Sequence, residues 1–216
     1  CVYFNTILIM TTIDNKLQLA CREGNIELIK QIYRENPGLD ISSDNEYAFR
    51  TACENGHLEV VRQLYTWKPT IDISAENEYA FRNACENGHI QVAEWLLQIK
   101  PDIDISAKNE YAFGNACVNG HIKVAEWLLQ IKPTINISIE NEFLFRNLCE
   151  FGNIKVAQWL LQIKPDINIS IDEEYAFRYA CQNGHLETAK WLFHVKPDIN
   201  ISIEEEFIFR FACEND

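Results

Sequence analysis

The sequence predicts an all-α protein built from stacked helix-turn-helix repeats, and three observations lead to this fold class. All six prolines and seven of the eight cysteines recur with a period of 32 residues, which is typical of a repeat array. A glycine separates two apolar stretches of helical spacing in most periods. Hydrophobic residues make up 47% of the chain and charged residues 24%, so there is enough apolar surface for a packed core.

The boundaries of the repeats follow from the isoleucine that opens each period, at Ile9 and every 32 residues after it. The first period is more polar than the later ones, as expected for a repeat that covers the end of a stack. Met10 is the only methionine, and a natural start there would make the residues before it an upstream extension. We predict four parts: a leader at residues 1–8, an N-terminal capping repeat at 9–40, five full repeats at 41–200 and an incomplete C-terminal repeat at 201–216.

The first helix of a repeat is predicted from its apolar stripe. Phe81, Ala84 and Cys85 have the i, i+3, i+4 spacing of one buried helix face. The helix is predicted to begin just after Ser74, whose hydroxyl is a candidate N-cap. Later repeats extend this to a Ser-x-x-Glu capping box, at Ser170 with Glu173 and at Ser202 with Glu205. Glycine then ends the helix at residue 88, where a positive φ is expected.

The second helix is predicted over residues 90–99, with apolar residues on two sides. Such a helix must be packed between neighbours. Pro101 prevents its continuation, because proline lacks the N–H and fixes φ. Ile103 and Ile105 then alternate with aspartates, which predicts a short extended connector.

The segment ACENGH at residues 84–89, followed by Val92 and Leu96, resembles the ankyrin repeat, whose two helices meet at an Ala-Ala-x-x-Gly-His turn. The resemblance covers nearly all of residues 10–216 and implies an ankyrin-like solenoid. Two features depart from the family: YAFR at residues 79–82 replaces Thr-Pro-Leu-His, and the period is one residue shorter than 33. The Trp-Leu-Leu helices and the Pro-Asp-Ile-Asn-Ile connectors look most like the ankyrin-like proteins of large amoeba-infecting DNA viruses.

The charge of the chain limits the kinds of partner that we expect. There are 32 acidic and 19 basic residues, which give a formal net charge of -13. Repulsion from phosphates disfavours nucleic acid and anionic membranes as partners. The resemblance to ankyrin repeats implies a protein partner, and we predict no small-molecule substrate.

The cysteines are predicted to be reduced thiols in the core. Equivalent positions on packed helices are roughly 8 to 10 Å apart, whereas a disulfide needs Cα atoms within about 7 Å. No Cys-x-x-Cys pair that would suggest a metal site occurs. Reduced thiols indicate a reducing compartment, so we predict a cytoplasmic location, with the cytoplasm of a host cell as one candidate.

Enzyme activity is not expected, because catalysis needs different groups that converge asymmetrically. The serines recur at equivalent positions, and no phosphate-binding glycine loop or His-Glu-x-x-His sequence is present. Four histidines share the turn position, where the ankyrin resemblance implies a structural hydrogen bond: His57, His89, His121 and His185. We therefore predict no catalytic, cofactor-binding or metal-binding residues.

The ankyrin resemblance implies a non-enzymatic protein-protein interaction scaffold whose first helices line a concave surface. Arginines such as Arg82 follow a glutamate by four residues, which predicts surface ion pairs on these helices. Residues between the buried positions should face outward. The candidate partner-binding residues are Arg82, Asn83, Glu86, Gly114, Asn115, Val118, Asn147, Phe151, Tyr179 and Gln182.

The pattern is broken most around the fourth repeat. Gly114 stands where other repeats have arginine, Val118 replaces an acid, and Phe151 replaces an asparagine. We interpret these three residues as an apolar notch among charges that anchors a partner together with Tyr179. The alternative is that these replacements arose by random sequence drift after a recent duplication. The protein would then be a structural or decaying repeat array without a specific ligand.

Overall fold

Helices account for all the regular secondary structure that the computed structural model describes. It describes the backbone of residues 2–200 and the side chains from residue 13 onward. This part of the chain contains twelve α-helices and no β-strand, so the predicted all-α architecture of helix-turn-helix repeats is confirmed. The incomplete repeat predicted at 201–216 lies outside the described residues.

The helices occur as pairs that follow the 32-residue period. They are α1 (Val2–Glu23), α2 (Ile26–Glu35), α3 (Ser43–Glu54), α4 (Leu58–Trp67), α5 (Ala75–Glu86), α6 (Ile90–Ile99), α7 (Ala107–Val118), α8 (Ile122–Ile131), α9 (Ile139–Glu150), α10 (Ile154–Ile163), α11 (Ile171–Gln182) and α12 (Leu186–Val195). Helix α1 has no break near residue 9, so the predicted leader and the first helix of the repeats are continuous.

The described residues form two compact units. The first contains residues 2–116 and 123–133, and the second contains residues 117–122 and 134–200. Within the first unit α3 packs against α1 and α5, and within the second α11 packs against α9. Each unit is thus a stack of first helices from consecutive repeats.

The apolar stripe of the first helices forms the core, as predicted. Phe81, Ala84 and Cys85 are fully buried. The cysteines of the described repeats are free thiols, buried at positions 21, 53, 85, 117 and 149 and half-buried at 181. Burial raises the pKa of Cys21 to about 12 and that of Cys181 to about 11, so these thiols stay protonated at neutral pH.

The second helix has the predicted bounds but a narrower buried face. Helix α6 runs from Ile90 to Ile99, and its Val92 and Leu96 are buried. Ile99 is 37% exposed, so the expectation of apolar contact on two full sides is wrong at this end of the helix. In the connector after α4 two tight turns follow one another, and the isoleucine between them, Ile71, enters the core.

The start of the first helix differs from the prediction. In α5 the residues Glu76, Asn77 and Glu78 have φ values of 56, 57 and 62°, which is left-handed backbone. The same three-residue left-handed turn occurs at the start of α3, α7, α9 and α11. The regular right-handed helix begins only after it, at Tyr79 in α5.

The serine therefore does not cap the helix. Ser74 makes no capping hydrogen bond, and its hydroxyl donates instead to Oε1 of Glu78 at 2.7 Å. The capping box predicted for Ser170 and Glu173 is wrong, because Glu173 lies within the left-handed turn with φ 57°. The equivalent pair at 202 and 205 lies outside the described residues.

The predicted ion pair between Glu78 and Arg82 is also wrong, because the two side chains turn to different groups. Glu78 is only 8% exposed and accepts a hydrogen bond from the backbone N–H of Asp104 at 3.5 Å. Arg82 folds back on the left-handed turn, where its Nε donates to the carbonyl of Asn77 at 2.7 Å and its Nη2 to that of Glu76 at 3.2 Å. The arginine thus donates hydrogen bonds to backbone carbonyls that would accept from backbone N–H groups in a regular helix.

The turn between the two helices contains the glycine and histidine that the sequence indicated. Gly56 has φ +77°, and a Cβ placed on it would lie 2.4 Å from Nδ1 of His89. One repeat earlier, Nε2 of His57 lies 2.8 Å from the carbonyl oxygen of Arg22, so Nε2 carries the proton of this hydrogen bond. The structural role implied for the histidines is confirmed at His57.

A glycine in the left-handed turn should stabilise the protein. Glu173 is exposed and has φ 57°, which costs about 1–2 kcal/mol for an L side chain and nothing for glycine. We expect Glu173→Gly to raise the free energy of unfolding by up to about 1 kcal/mol and Glu173→Val to lower it by about 1 kcal/mol. Urea denaturation followed by circular dichroism measures both. The control, Glu126→Gly at an exposed site in α8, should cost about 1 kcal/mol; equal losses at both sites would contradict the left-handed turn.

Adding a methyl group to the glycine of the helix-helix turn should be destabilising. Gly56→Ala combines a positive φ with a contact of 2.4 Å to His89 Nδ1, so we expect a loss of about 2 kcal/mol or more. Gly38 has no atom within 4 Å of an added Cβ and no positive φ, so Gly38→Ala should change stability by less than about 1 kcal/mol. Thermal denaturation of the two variants tests the difference, and equal losses would contradict the combined effect of the positive φ and the histidine contact.

Candidate interaction surface

The first helices carry a repeated set of polar contacts, which we call the Arg–Tyr–Glu set. The tyrosine hydroxyl of one repeat donates to the glutamate 25 residues earlier: Tyr111 to Glu86 at 2.8 Å and Tyr175 to Glu150 at 2.9 Å. The guanidinium of the earlier repeat lies over the same tyrosine ring, as Arg82 does over Tyr111, 4.6 Å from its centroid. A third set joins Arg50, Tyr79 and Glu54.

The electrostatics of the set keep the tyrosine protonated. Burial is the largest influence on Tyr111, followed by the hydrogen bond to Glu86 and the negative charge of that carboxylate, and together they raise the pKa of Tyr111 to about 12. Tyr175 is raised to a pKa of about 12 by burial and by Glu150 in the same way. Each hydroxyl is therefore a fixed donor at neutral pH, and each ring is a platform for a cation.

Two of the predicted partner-binding residues are buried. Arg82 is 3% exposed and Asn83 is 7% exposed, so the expectation that these side chains face outward is wrong. Arg82 is held by the left-handed turn and the ring of Tyr111, and Asn83 donates to the carbonyl of Tyr79 at 2.9 Å. These contacts are internal to the scaffold, and binding of a partner by the two residues stays a prediction.

The other predicted residues are more accessible. Phe151 is 59% exposed. The half-buried residues are Glu86, Gly114, Asn115, Val118, Asn147, Tyr179 and Gln182.

The predicted residues are divided between the two units. Arg82, Asn83, Glu86, Gly114 and Asn115 belong to the first unit, and Val118, Asn147, Phe151, Tyr179 and Gln182 to the second. Within the second unit, the ring of Tyr179 stacks on Tyr175 with centroids 4.0 Å apart. The backbone carbonyl of Val118 accepts a hydrogen bond from Nδ2 of Asn153 at 2.9 Å. Asn153 occupies the histidine position of its repeat, and its bond is equivalent to the one between His57 and Arg22 in the first unit.

Sequence reasoning missed one residue of this surface, Phe143. It is 47% exposed and occupies the position of the tyrosine in the Arg–Tyr–Glu set. Val118, 25 residues earlier, occupies the position of the glutamate. Both partners of the hydrogen bond are therefore replaced by apolar residues in two consecutive repeats. Sequence reasoning found the replacement of the glutamate by Val118 but not the matching replacement of the tyrosine by Phe143.

Among the residues whose side chains are described, no three His, Cys, Asp or Glu side chains converge as a metal site would require. No helix in the described part of the chain has the length and apolar character to cross a membrane.

The hydrogen bond of the set should be measurable as a coupling between its two residues. Tyr111→Phe and Glu86→Val each remove one partner of this hydrogen bond, and we expect each to lower the free energy of unfolding by about 1–2 kcal/mol. The double variant copies the Phe143 and Val118 pair and should lose less than the sum, by about 1 kcal/mol. Chemical denaturation of the four proteins completes the cycle. Strictly additive losses would show that the contact contributes nothing.

Comparison with known proteins gives the family. Residues 17–109 match a family model described as ankyrin repeats in three copies, and residues 146–193 match one described as ankyrin repeats in many copies. Together the two segments cover more than half of the chain. No curated protein sequence matches it.

Solved structures share the fold. The chain is similar to the human ASB11 ankyrin repeat domain, with 16% identity, a TM-score of 0.63, and coverage of 91% of this chain and 90% of that one. It is also similar to an ankyrin repeat family protein from Legionella pneumophila, with 23% identity, a TM-score of 0.51, and coverage of 85% and 72%. The matched segments, the helix pairs and the glycine-histidine turn agree, and the chain belongs to the ankyrin-repeat family.

Proposed function

We propose that this protein is a non-enzymatic scaffold that presents the surface of its first helices to a partner protein. The single observation that carries the proposal is the joint replacement of Glu and Tyr by Val118 and Phe143, where three other repeat pairs keep the hydrogen-bonded residues. Ankyrin repeats are a general protein-protein interaction fold, which supports the same function. The partner is a protein, and neither nucleic acid nor a small-molecule substrate is needed.

The proposed anchor is apolar and lies in the second unit. Phe143 and Phe151 are 47% and 59% exposed, and a few desolvated aromatic residues dominate the affinity of most interfaces. Val118 and the stacked Tyr179 extend this surface, and Asn147 and Gln182 are its proposed polar contacts. Phe151 replaces an asparagine that at position 87 donates to a carbonyl one turn back, so the change exchanges a helix-end hydrogen bond for exposed apolar area.

The first unit is proposed to contribute polar contacts. Glu86, Gly114 and Asn115 are half-buried and therefore accessible in part. Arg82 and Asn83 are proposed to act through the groups that they position rather than by direct contact, because both are buried.

The proposed location is the cytoplasm, since the described cysteines are free thiols. If the resemblance to the ankyrin-like proteins of amoeba-infecting viruses reflects the source, the partner is a host protein.

A structural array without a specific ligand is the second candidate function. It is favoured by the near identity of the repeats, in which helices α6, α8 and α10 share the pattern Val-Ala-x-Trp-Leu-Leu-Gln-Ile. Such uniformity is expected after recent duplication without selection for a binding surface.

Restoring the repeated polar pattern should remove binding without harming the fold. The triple variant Val118→Glu, Phe143→Tyr, Phe151→Asn installs residues that other repeats already use. We expect it to bind the partner at least about tenfold more weakly, because several apolar contacts are lost, while its melting temperature is unchanged or higher. The partner is first identified by affinity purification and mass spectrometry, and the affinity is then measured calorimetrically with the purified partner.

Phe193→Asn is the matched control, because Phe193 is 45% exposed but lies on a second helix, α12. It should leave the affinity unchanged. Equal binding by the triple variant and the wild type would refute the proposed anchor, and the absence of any saturable partner would favour the structural array.

A further inference from the structure

The glutamate position of the Arg–Tyr–Glu set is occupied by an arginine in the first repeat, so its charge is reversed. Glu54, Glu86 and Glu150 accept a hydrogen bond from the tyrosine 25 residues later. In the first repeat this position is Arg22, which is exposed and donates from Nη2 to the hydroxyl of Tyr47 at 3.2 Å. An acceptor is thus replaced by a cationic donor at the first of these positions.

The reversal changes what the tyrosine can offer. The hydroxyls of Tyr79, Tyr111 and Tyr175 each donate their proton to a carboxylate within the protein. The hydroxyl of Tyr47 accepts from Arg22 instead, so its proton is available to a ligand. A hydroxyl that accepts from a guanidinium is also a stronger donor, since the two hydrogen bonds polarise each other.

A cavity of about 280 Å³ lies at this place, wholly within the first unit. It is lined by Arg22, Tyr47, Arg50, Thr51, Glu54, Asn55 and Tyr79. The volume is below that of typical cofactor sites and suits a single side chain or a small anion.

A second guanidinium faces the same cavity. Arg50 lies 4.8 Å from the ring centroid of Tyr79 and 5.8 Å from that of Tyr47. Its Nε donates to Asn45 O at 2.7 Å and its Nη2 to Asp44 O at 3.1 Å, so the group is fixed in place before a ligand arrives. Among the hydrogen bonds of the described residues, none uses Nη1 of Arg50.

The charge balance of the cavity is positive, although the chain carries a formal charge of -13. Two guanidiniums face one carboxylate, that of Glu54, and Oε2 of this carboxylate already accepts from Tyr79. Arg82, by contrast, lies over the rings of Tyr79 and Tyr111, whose hydroxyls donate to Glu54 and Glu86, so two glutamates accompany one arginine there. Among the sets whose residues the structure describes, the one at Tyr47 alone combines guanidinium donors with a hydroxyl that does not donate to a carboxylate of the protein.

We propose that this cavity binds an oxyanion, either a carboxylate or a phosphate group, through Arg22, Arg50 and the hydroxyl of Tyr47. Guanidinium groups bind carboxylate and phosphate oxygens with short, charge-assisted hydrogen bonds, and the fixed position of Arg50 lowers the entropy cost of binding. The site shares no residue with the apolar anchor of the second unit and does not rest on the proposed partner.

The test is a nuclear magnetic resonance titration of the full chain with simple anions. Sodium acetate and sodium phosphate are added separately, with sodium chloride at equal ionic strength as the reference, and the Nε–H signals of Arg22 and Arg50 are followed. We expect saturable shifts with acetate or phosphate and only small, linear shifts with chloride. Shifts no larger than those with chloride would overturn the proposal.

Variants separate the site from the general charge of the protein. Arg22→Glu restores the residue that three other sets use, so it should fold and should weaken anion binding at least about tenfold. Tyr47→Phe removes the donated proton and should weaken binding about threefold to tenfold. Arg62→Glu makes the same charge change at an exposed site of α4 and should leave binding unchanged. Equal loss in Arg22→Glu and Arg62→Glu would reduce the effect to net charge and end the proposal.

Two peptides distinguish the source of the oxyanion. Acetyl-Ala-Glu-Ala-amide and its glutamine analogue are titrated in the same way. Saturation by the glutamate peptide alone assigns the site to acidic side chains, and saturation by phosphate alone assigns it to phosphate groups; both outcomes support an oxyanion site. The titrations contain no partner protein, so their failure is independent of the proposed function.

Discussion

In three of the described repeats the buried glutamate takes a hydrogen-bond partner from the repeat that follows. The carboxylates of Glu46, Glu78 and Glu174 accept from the backbone N–H of the connector 26 residues later, at 3.2, 3.5 and 3.4 Å. A buried carboxylate without such a partner would be costly. The left-handed turn brings the glutamate inward, and the arginine then satisfies the carbonyls that this turn exposes. Helix start, connector and arginine are therefore one arrangement, which occurs at Glu46, Glu78 and Glu174.

The helix pairs could be predicted from the sequence because their determinants are local. Helical spacing alone predicted the buried stripe of Phe81, Ala84 and Cys85. The positions of glycine and proline were enough to predict the bounds of α6. The left-handed turn could not be predicted, because Ser-x-x-Glu is also the pattern of a capping box and none of the three residues is glycine. In three repeats the turn is accompanied by a contact with the following connector, which no local pattern reports.

The candidate surface could be predicted only in part, for a related reason. Val118 and Phe151 are visible as breaks in the repeat, and the exposure of Phe151 agrees with that interpretation. Arg82 and Asn83 were expected to face outward because they lie between buried positions, yet the left-handed turn and the neighbouring tyrosine bury them. Phe143 and Arg22 were missed because their meaning comes from a residue 25 positions away, and that pairing is evident only once the helices are stacked.

The hydrogen bond between a tyrosine and a glutamate 25 residues earlier in the sequence also constrains how the repeats of such a protein can diverge in sequence. Changing one member alone to an apolar residue removes the hydrogen-bond partner of the other, whereas changing both restores compatibility, as with Val118 in the fourth repeat and Phe143 in the fifth. New apolar patches on this surface are therefore expected to arise when the tyrosine and the glutamate are replaced together. A search of duplicated sequences for such paired replacements would locate specialised surfaces without a structure.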